Sequence, residues 1–153
     1  MNLTKNFTLH EMTKSETALR LGVDNEPNEQ QLAALKVIAE KICQPVRDKF
    51  GPTKINSALR TLPVNRAIGS SDNSHHVRGM AVDIEVPGVP NAELAQWIVD
   101  NLEFTQVILE FYTPGVPDSG WVHASYVPED LRKQVLTATK QNGKTVYLPG
   151  LVA

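Results

Sequence analysis

The hydrophobic pattern of this chain changes period at Gly51-Pro52, and that change restricts its fold more than any other feature. Before it, Leu32, Leu35, Ile38, Ala39, Ile42 and Val46 recur at the spacing of one helix face. Asn28 with Gln31 reads as the cap that opens this helix, and Pro45 is expected to kink or split it. Further upstream, Thr8 and Glu11 form a capping box behind Phe7. Ser15 and Thr17 then interrupt, and residues 22–27 read as a loop. After Gly51-Pro52 the runs shorten and alternate. Residues 54–59 and 80–86 read as strands, separated by a stretch over 61–73 rich in turn formers. A helix is expected over 92–101. Residues 106–112 and 121–126 are β-branched or aromatic runs around a Pro- and Gly-rich loop, which suits a hairpin. Pro128 is placed to open a last helix reaching about residue 141, with one more strand at 144–148. This order predicts an α+β fold: one domain over residues 1–153, with a small antiparallel sheet flanked by helices.

Length and charge narrow the function. A chain of 153 residues can bury a real core. Fifteen basic against seventeen acidic residues, a net charge of −2, give no excess for nucleic acid or an anionic membrane. Cys43 is alone, so no disulfide forms within the chain, and its place on the helical face marks it as an inert buried thiol. Residues 1–7 lack the apolar core of a signal peptide, and no run reaches transmembrane length. The expectation is synthesis and folding in the cytosol, so a substrate outside the membrane requires delivery by another component.

The histidines carry the chemistry. His75 and His76 sit together in a polar loop that passes through Gly79 into the strand holding Asp83. Alternation puts Ala81, Asp83 and Glu85 on one face, with Val82, Ile84 and Val86 turned into the core. Gly79 removes a side chain where the loop turns close to the strand. In the second hairpin strand Trp121, His123 and Ser125 share a face. Two imidazoles and a carboxylate can therefore converge on a metal and leave a fourth position open, as catalytic zinc sites do. Glu110 ends an apolar strand, where an unpaired carboxylate is costly. A role as general base beside the metal accounts for its position.

The pattern Ser74, His76, Gly79, Ala81, Asp83, followed by Trp121 and His123, resembles the zinc D-Ala-D-Ala carboxypeptidase and L-alanyl-D-glutamate endopeptidase family, in particular its small phage-type members. The resemblance extends to the segment from Phe7 to Met12, to Pro45, Val46 and Arg47, to the strand ending in Arg60, to the loop at Asn65, and to the run from Val107 to Phe111. It implies one zinc ion held by His76, Asp83 and His123, and Arg60 as a binder of substrate carboxylate. Ser74 is placed on the substrate side, holding the motif loop through a backbone hydrogen bond. Two segments depart from the family. Ser57, Ala58, Leu59 and Arg60 stand where Ser-Gly-Tyr-Arg is usual, so an aromatic is lost. Gly120 stands where some members carry a Glu three residues before the last histidine, which leaves Glu110 as base.

The resemblance implies cleavage of peptidoglycan stem peptides; with no signal peptide, a phage or prophage lytic enzyme released by a pore-forming partner is the expected setting, a virion-borne wall-penetrating enzyme the second choice, and a monomer the expected state. Three simpler assignments weigh against individual residues. Arg60 could instead pair with Asp72 or Glu85, Trp121 could be core packing, and neither His75, which reads as a support to the site or an exposed residue, nor His10, on a helix surface, reads as a ligand. Two other classes compete for the whole. A mononuclear iron oxygenase also uses two histidines and a carboxylate, but the separation of His76 from Asp83 and the few strands count against it. A virion structural or wall-binding protein that keeps zinc for stability would show a closed fourth position or no base.

Overall fold

Thr8 opens the first helix by the expected capping box. Its hydroxyl accepts from the Glu11 N–H, and the Glu11 carboxylate accepts from the Thr8 N–H. In the computed structural model, which describes residues 1–152, this helix is α1 (Leu9–Thr13). Ser15, expected to interrupt, caps a further short helix α2 (Glu16–Leu21). Asn28 and Gln31 cap α3 (Glu29–Ile38) reciprocally. The helical run is divided just ahead of Pro45. The chain widens into one π-helical turn, Ala39–Cys43, and continues as α4 (Gln44–Phe50) with Pro45 in its first turn. Proline has no N–H to donate, and a π turn just ahead of it absorbs the missing bond. Leu35, Ile38, Ile42 and Val46 are fully buried on the inner face, as their spacing requires. Burying each such side chain contributes about 1.5–3 kcal/mol.

The second half forms a six-stranded sheet: β1 (Lys54–Ser57), β2 (Ala81–Glu85), β3 (Gln106–Glu110), β4 (Trp121–Ser125), β5 (Gln134–Gln141) and β6 (Lys144–Pro149). Its spatial order is β1-β2-β4-β3-β5-β6. The expected hairpin is β3–β4, and every pairing is antiparallel except β3 with β5. Two further helices complete the fold: α5 (Leu62–Ala67) and α6 (Asn91–Asn101). The fold class is the expected α+β, in a single small domain. Val82, Ile84, Val107, Leu109, Val122 and Ala124 face the helices, in one core with Leu35, Ile42 and Ile98.

Two elements differ from expectation. The stretch over 61–73 holds the six-residue α5, with Pro63 in its first turn. The helix expected from Pro128 to about residue 141 does not form. Residues 134–141 are β5, whose Val135, Leu136, Thr137, Ala138 and Thr139 suit a pleated surface and gain a partner on each side, β3 and β6. Among the described residues, no helix is long and apolar enough to cross a membrane.

Candidate metal centre

β2 and β4 are neighbours in the sheet, and their register sets Asp83 directly opposite His123. His123 Nδ1 lies 3.0 Å from Asp83 Oδ1. His76 arrives from the loop before β2, where His75–Arg78 form a single 3-10 turn. Ser74 caps that turn, its Oγ accepting from the His76 N–H at 3.3 Å. Gly79 ends it with φ of +72°, and a Cβ there would lie 2.9 Å from the Gln31 carbonyl oxygen. The close neighbour that requires glycine is therefore α3, not the strand.

The ring of His76 is fixed from behind. Its Nδ1 lies 2.7 Å from the Ala58 carbonyl oxygen, which can only accept, so Nδ1 carries the proton. Nε2 is left as a bare lone pair. It is buried, has no hydrogen-bond partner, and lies 3.4 Å from Asp83 Oδ1. Two acceptors facing each other in a buried site call for a shared cation. One ligand atom from each of His76, Asp83 and His123 lies within 4.8 Å of the others. The three residues thus form a cluster able to coordinate a metal ion. Two imidazole nitrogens and a carboxylate oxygen are a donor set that zinc accepts, and the outward hydrogen bond from His76 Nδ1 is the usual support for a metal-bound histidine.

The electrostatics prepare His76 and Asp83 as ligands, while at His123 a proton competes. Burial pushes the His76 pKa down, which keeps the imidazole neutral and able to ligate. Burial opposes charge on Asp83 as well, but the two imidazoles outweigh it and hold the carboxyl below its ordinary range. For His123, burial acts against the proton and the Asp83 carboxylate acts for it, with the carboxylate prevailing, so its pKa is raised.

Glu110 lies on the face of β3 that carries Gln106 and Ile108, and all three line the cleft over the triad. Trp121, its register partner on β4, donates its indole N–H to Glu110 Oε2 at 2.8 Å. Burial raises the Glu110 pKa above the ordinary carboxylate value; His123, the Trp121 hydrogen bond and Arg60 work against that rise, while Asp83 adds to it.

Arg60 is held on three sides through its backbone neighbours. Its own N–H donates to the His76 carbonyl, Asn25 Nδ2 donates to the Leu59 carbonyl, and the Thr61 N–H donates to Asn25 Oδ1. Arg60 makes neither of the ion pairs weighed against it. Asp72 pairs with Arg66, and Glu85 accepts from Asn56 and Asn91. Arg60 Nε is buried without a partner. Burial lowers its pKa, opposed by Asp83 and Glu110, but a guanidinium stays charged.

The cleft, about 330 Å³, thus brings together His76, Asp83, His123, Glu110, Arg60 and Ser74. His75 lines the same cleft without joining the ligand cluster. His10 lies apart, on a wider groove of about 890 Å³ between α2 and β1 that has Arg60 on its border. Cys43 is buried and its thiol is pushed up to about 12, first by burial, as an inert core position requires. Sequence reasoning missed Asn25, whose place in a loop gave no sign of the clamp it makes. It also missed Tyr147 of β6, which lines the cleft from a strand remote in sequence.

The family described as Peptidase M15 matches the chain over residues 5–124, a span that includes all three residues of the metal cluster together with Arg60, Ser74 and Glu110. No curated protein matches the chain.

Proposed function

The chain belongs to the Peptidase M15 family, and from that premise we propose that it is a zinc peptidase acting on the stem peptides of bacterial peptidoglycan. The observation that carries the reading is the convergence of one buried acceptor cluster, one raised carboxyl and one unpartnered guanidinium on a single cleft.

His76 Nε2, an Asp83 carboxylate oxygen and His123 Nδ1 are the atoms that would hold the metal. A zinc ion there supplies Lewis-acid polarisation of an amide carbonyl and lowers the pKa of water toward neutrality. Glu110 supplies the proton chemistry. Trp121 occupies its Oε2, which leaves Oε1 to take a proton from the attacking water and return it to the leaving nitrogen. The carbon–oxygen bond forms, the carbon–nitrogen bond breaks, and the proton ends on the amine. Arg60 binds a substrate carboxylate in two-pronged fashion, from a backbone that Asn25 and the His76 carbonyl hold in place. Ser74 keeps the His76 turn wound.

A lytic enzyme of a phage or prophage, released by a pore-forming partner, is the setting that the resemblance to small phage-type members of the family suggests. The test is digestion of purified peptidoglycan by the zinc-loaded protein, with mass spectrometry of the released fragments beside Glu110→Ala. Free D-Ala identifies a carboxypeptidase, and stems cut after L-Ala identify an endopeptidase. Loss of either product in the variant supports Glu110 as the base. Absence of any cut across several wall types, with zinc bound, favours the structural or wall-binding alternative.

A further inference from the structure

The register of the sheet extends the metal site sideways. Asp83 on β2 faces His123 on β4, His123 faces Ile108 on β3, Ile108 faces Leu136 on β5, and Leu136 faces Pro149 on β6. Directly opposed residues point to the same side of a sheet. The row that starts at the metal therefore continues as an apolar floor toward the β6 edge. The next row runs from Trp121 through Glu110 and Ala138 to Tyr147. On the other flank, Gln106 and Gln134 are joined by a side-chain hydrogen bond of 2.8 Å.

The two ends of this strip differ in chemistry. Arg60 follows β1, at one edge of the sheet, and offers a charged, unpartnered guanidinium. Tyr147 lies on β6, at the opposite edge, where it is 54% exposed and still lines the metal cleft. Between it and the triad the floor is Ile108 and Leu136, with amide groups alongside. The β5–β6 hairpin that supplies Leu136 and Tyr147 lies beyond residue 124, where the family match ends.

We propose that the β5–β6 hairpin forms a substrate subsite, with Tyr147 as its wall and Leu136 as its floor, that binds the amino-terminal part of a peptide whose carboxylate end is held by Arg60. The inference rests on the peptidase reading and gives it a direction: the substrate crosses the strands from Arg60, over the triad, to Tyr147. The reach sets a length requirement. From β4 to β6 is three strand spacings, about 14 Å. An extended chain covers about 3.4 Å per residue. A ligand must therefore extend about three to four residues from the metal to lie against Tyr147, less where that side chain leans inward. A dipeptide is too short.

The experiment follows backbone amide NMR shifts of the zinc-loaded protein carrying Glu110→Gln, a change that keeps an acceptor for Trp121 and slows cleavage. The probes are a stem pentapeptide with L-Ala at its amino end, and D-Ala-D-Ala. The expected result is that the pentapeptide shifts Leu136 and Tyr147 and the dipeptide does not. Adding Tyr147→Ala then weakens pentapeptide binding about three- to tenfold, while Tyr147→Phe restores most of it. Tyr147 is exposed on an edge strand, and the dispersion of the same spectrum reports whether the variant is folded. If the pentapeptide shifts Ile108 but neither Leu136 nor Tyr147, and Tyr147→Ala binds it equally well, the subsite is refuted and the peptidase reading stands. If no stem peptide perturbs the cleft at all, both are refuted.

Discussion

A Cβ built on Gly120 would lie 1.9 Å from the carbonyl oxygen of Glu110. The two residues face each other where the β3–β4 hairpin closes, and Gly120 takes φ of +64° there. Phe111, next to Glu110, also takes a positive φ of 55°. The position at which a glutamate three residues before the last histidine would stand is thus closed to any side chain by the backbone that presents Glu110. The placement of the Glu110 carboxylate and the glycine are two consequences of one hairpin closure.

Gly120→Ala is therefore expected to destabilise the protein. The left-handed conformation alone costs an L-residue about 1–2 kcal/mol, and the contact with the Glu110 carbonyl adds to it. For a chain of this size each kcal/mol lowers Tm by about 2–4 °C. A calorimetric Tm at least ~5 °C below wild type is predicted, and an unchanged Tm would contradict the geometry.

The acid limb of the pH–rate profile should report Glu110. A base must be ionised to work, and burial holds this carboxyl above its ordinary value. Activity is expected to fall as pH drops through that raised pKa. Trp121→Phe removes the hydrogen bond that favours the carboxylate, so the limb should move to higher pH, with kcat reduced at neutrality. A limb that stays in place in the variant assigns the titration to another group.

Metal and proton compete for the triad. In the metal-free protein, the raised His123 pKa contributes stability below its unfolded value and loses it as pH rises through the folded one. The depressed Asp83 contributes above its unfolded value and loses it as pH falls through the folded one. The pair thus supports the metal-free fold most between the ordinary carboxylate pKa and the ordinary imidazole pKa, and the support fades as pH rises on through the raised His123 value. Zinc needs both imidazoles deprotonated, so the Tm gain from added zinc should grow as pH rises above that window. At a hundredfold excess over Kd, binding adds about 2.7 kcal/mol. Thermal scans across pH, with and without zinc, check the slope, and His76→Ala should abolish the gain.

Cys43 should be unreactive in the native protein. Its thiol is buried and pushed up to about 12. Alkylation by iodoacetamide at pH 8 is expected only after denaturation. Labelling at the same rate in the folded state would mean that the helical layer opens.

What the chain made legible follows from the range of the forces involved. Both capping boxes, the inner face of α3 and the outward face of Asp83 are set by residues within a few positions of one another, and they were readable, as was the β3–β4 hairpin from its Pro- and Gly-rich loop. The faces of Asp83 and His123 were readable because strand alternation fixes them once the strands are placed, while His76, on a 3-10 turn, was readable through the Ser74-to-Asp83 motif that carries the family resemblance. β5 was not readable, because Pro128 and the polar residues after it mimic a helix start. Its strand conformation depends on β3, some thirty residues earlier in the chain. The short α2 and α5 have too few turns to show a period. The Asn25 clamp on Arg60 and the approach of Tyr147 arise from tertiary contacts alone.

The most direct test of the account is to titrate zinc into metal-free protein and count amide bonds cut in purified peptidoglycan per enzyme per minute. The predicted result is a rate that rises linearly to one equivalent of zinc, then levels, and that is lost in Asp83→Ala. Zinc bound at one equivalent, with no bond cut in any wall type, would contradict it.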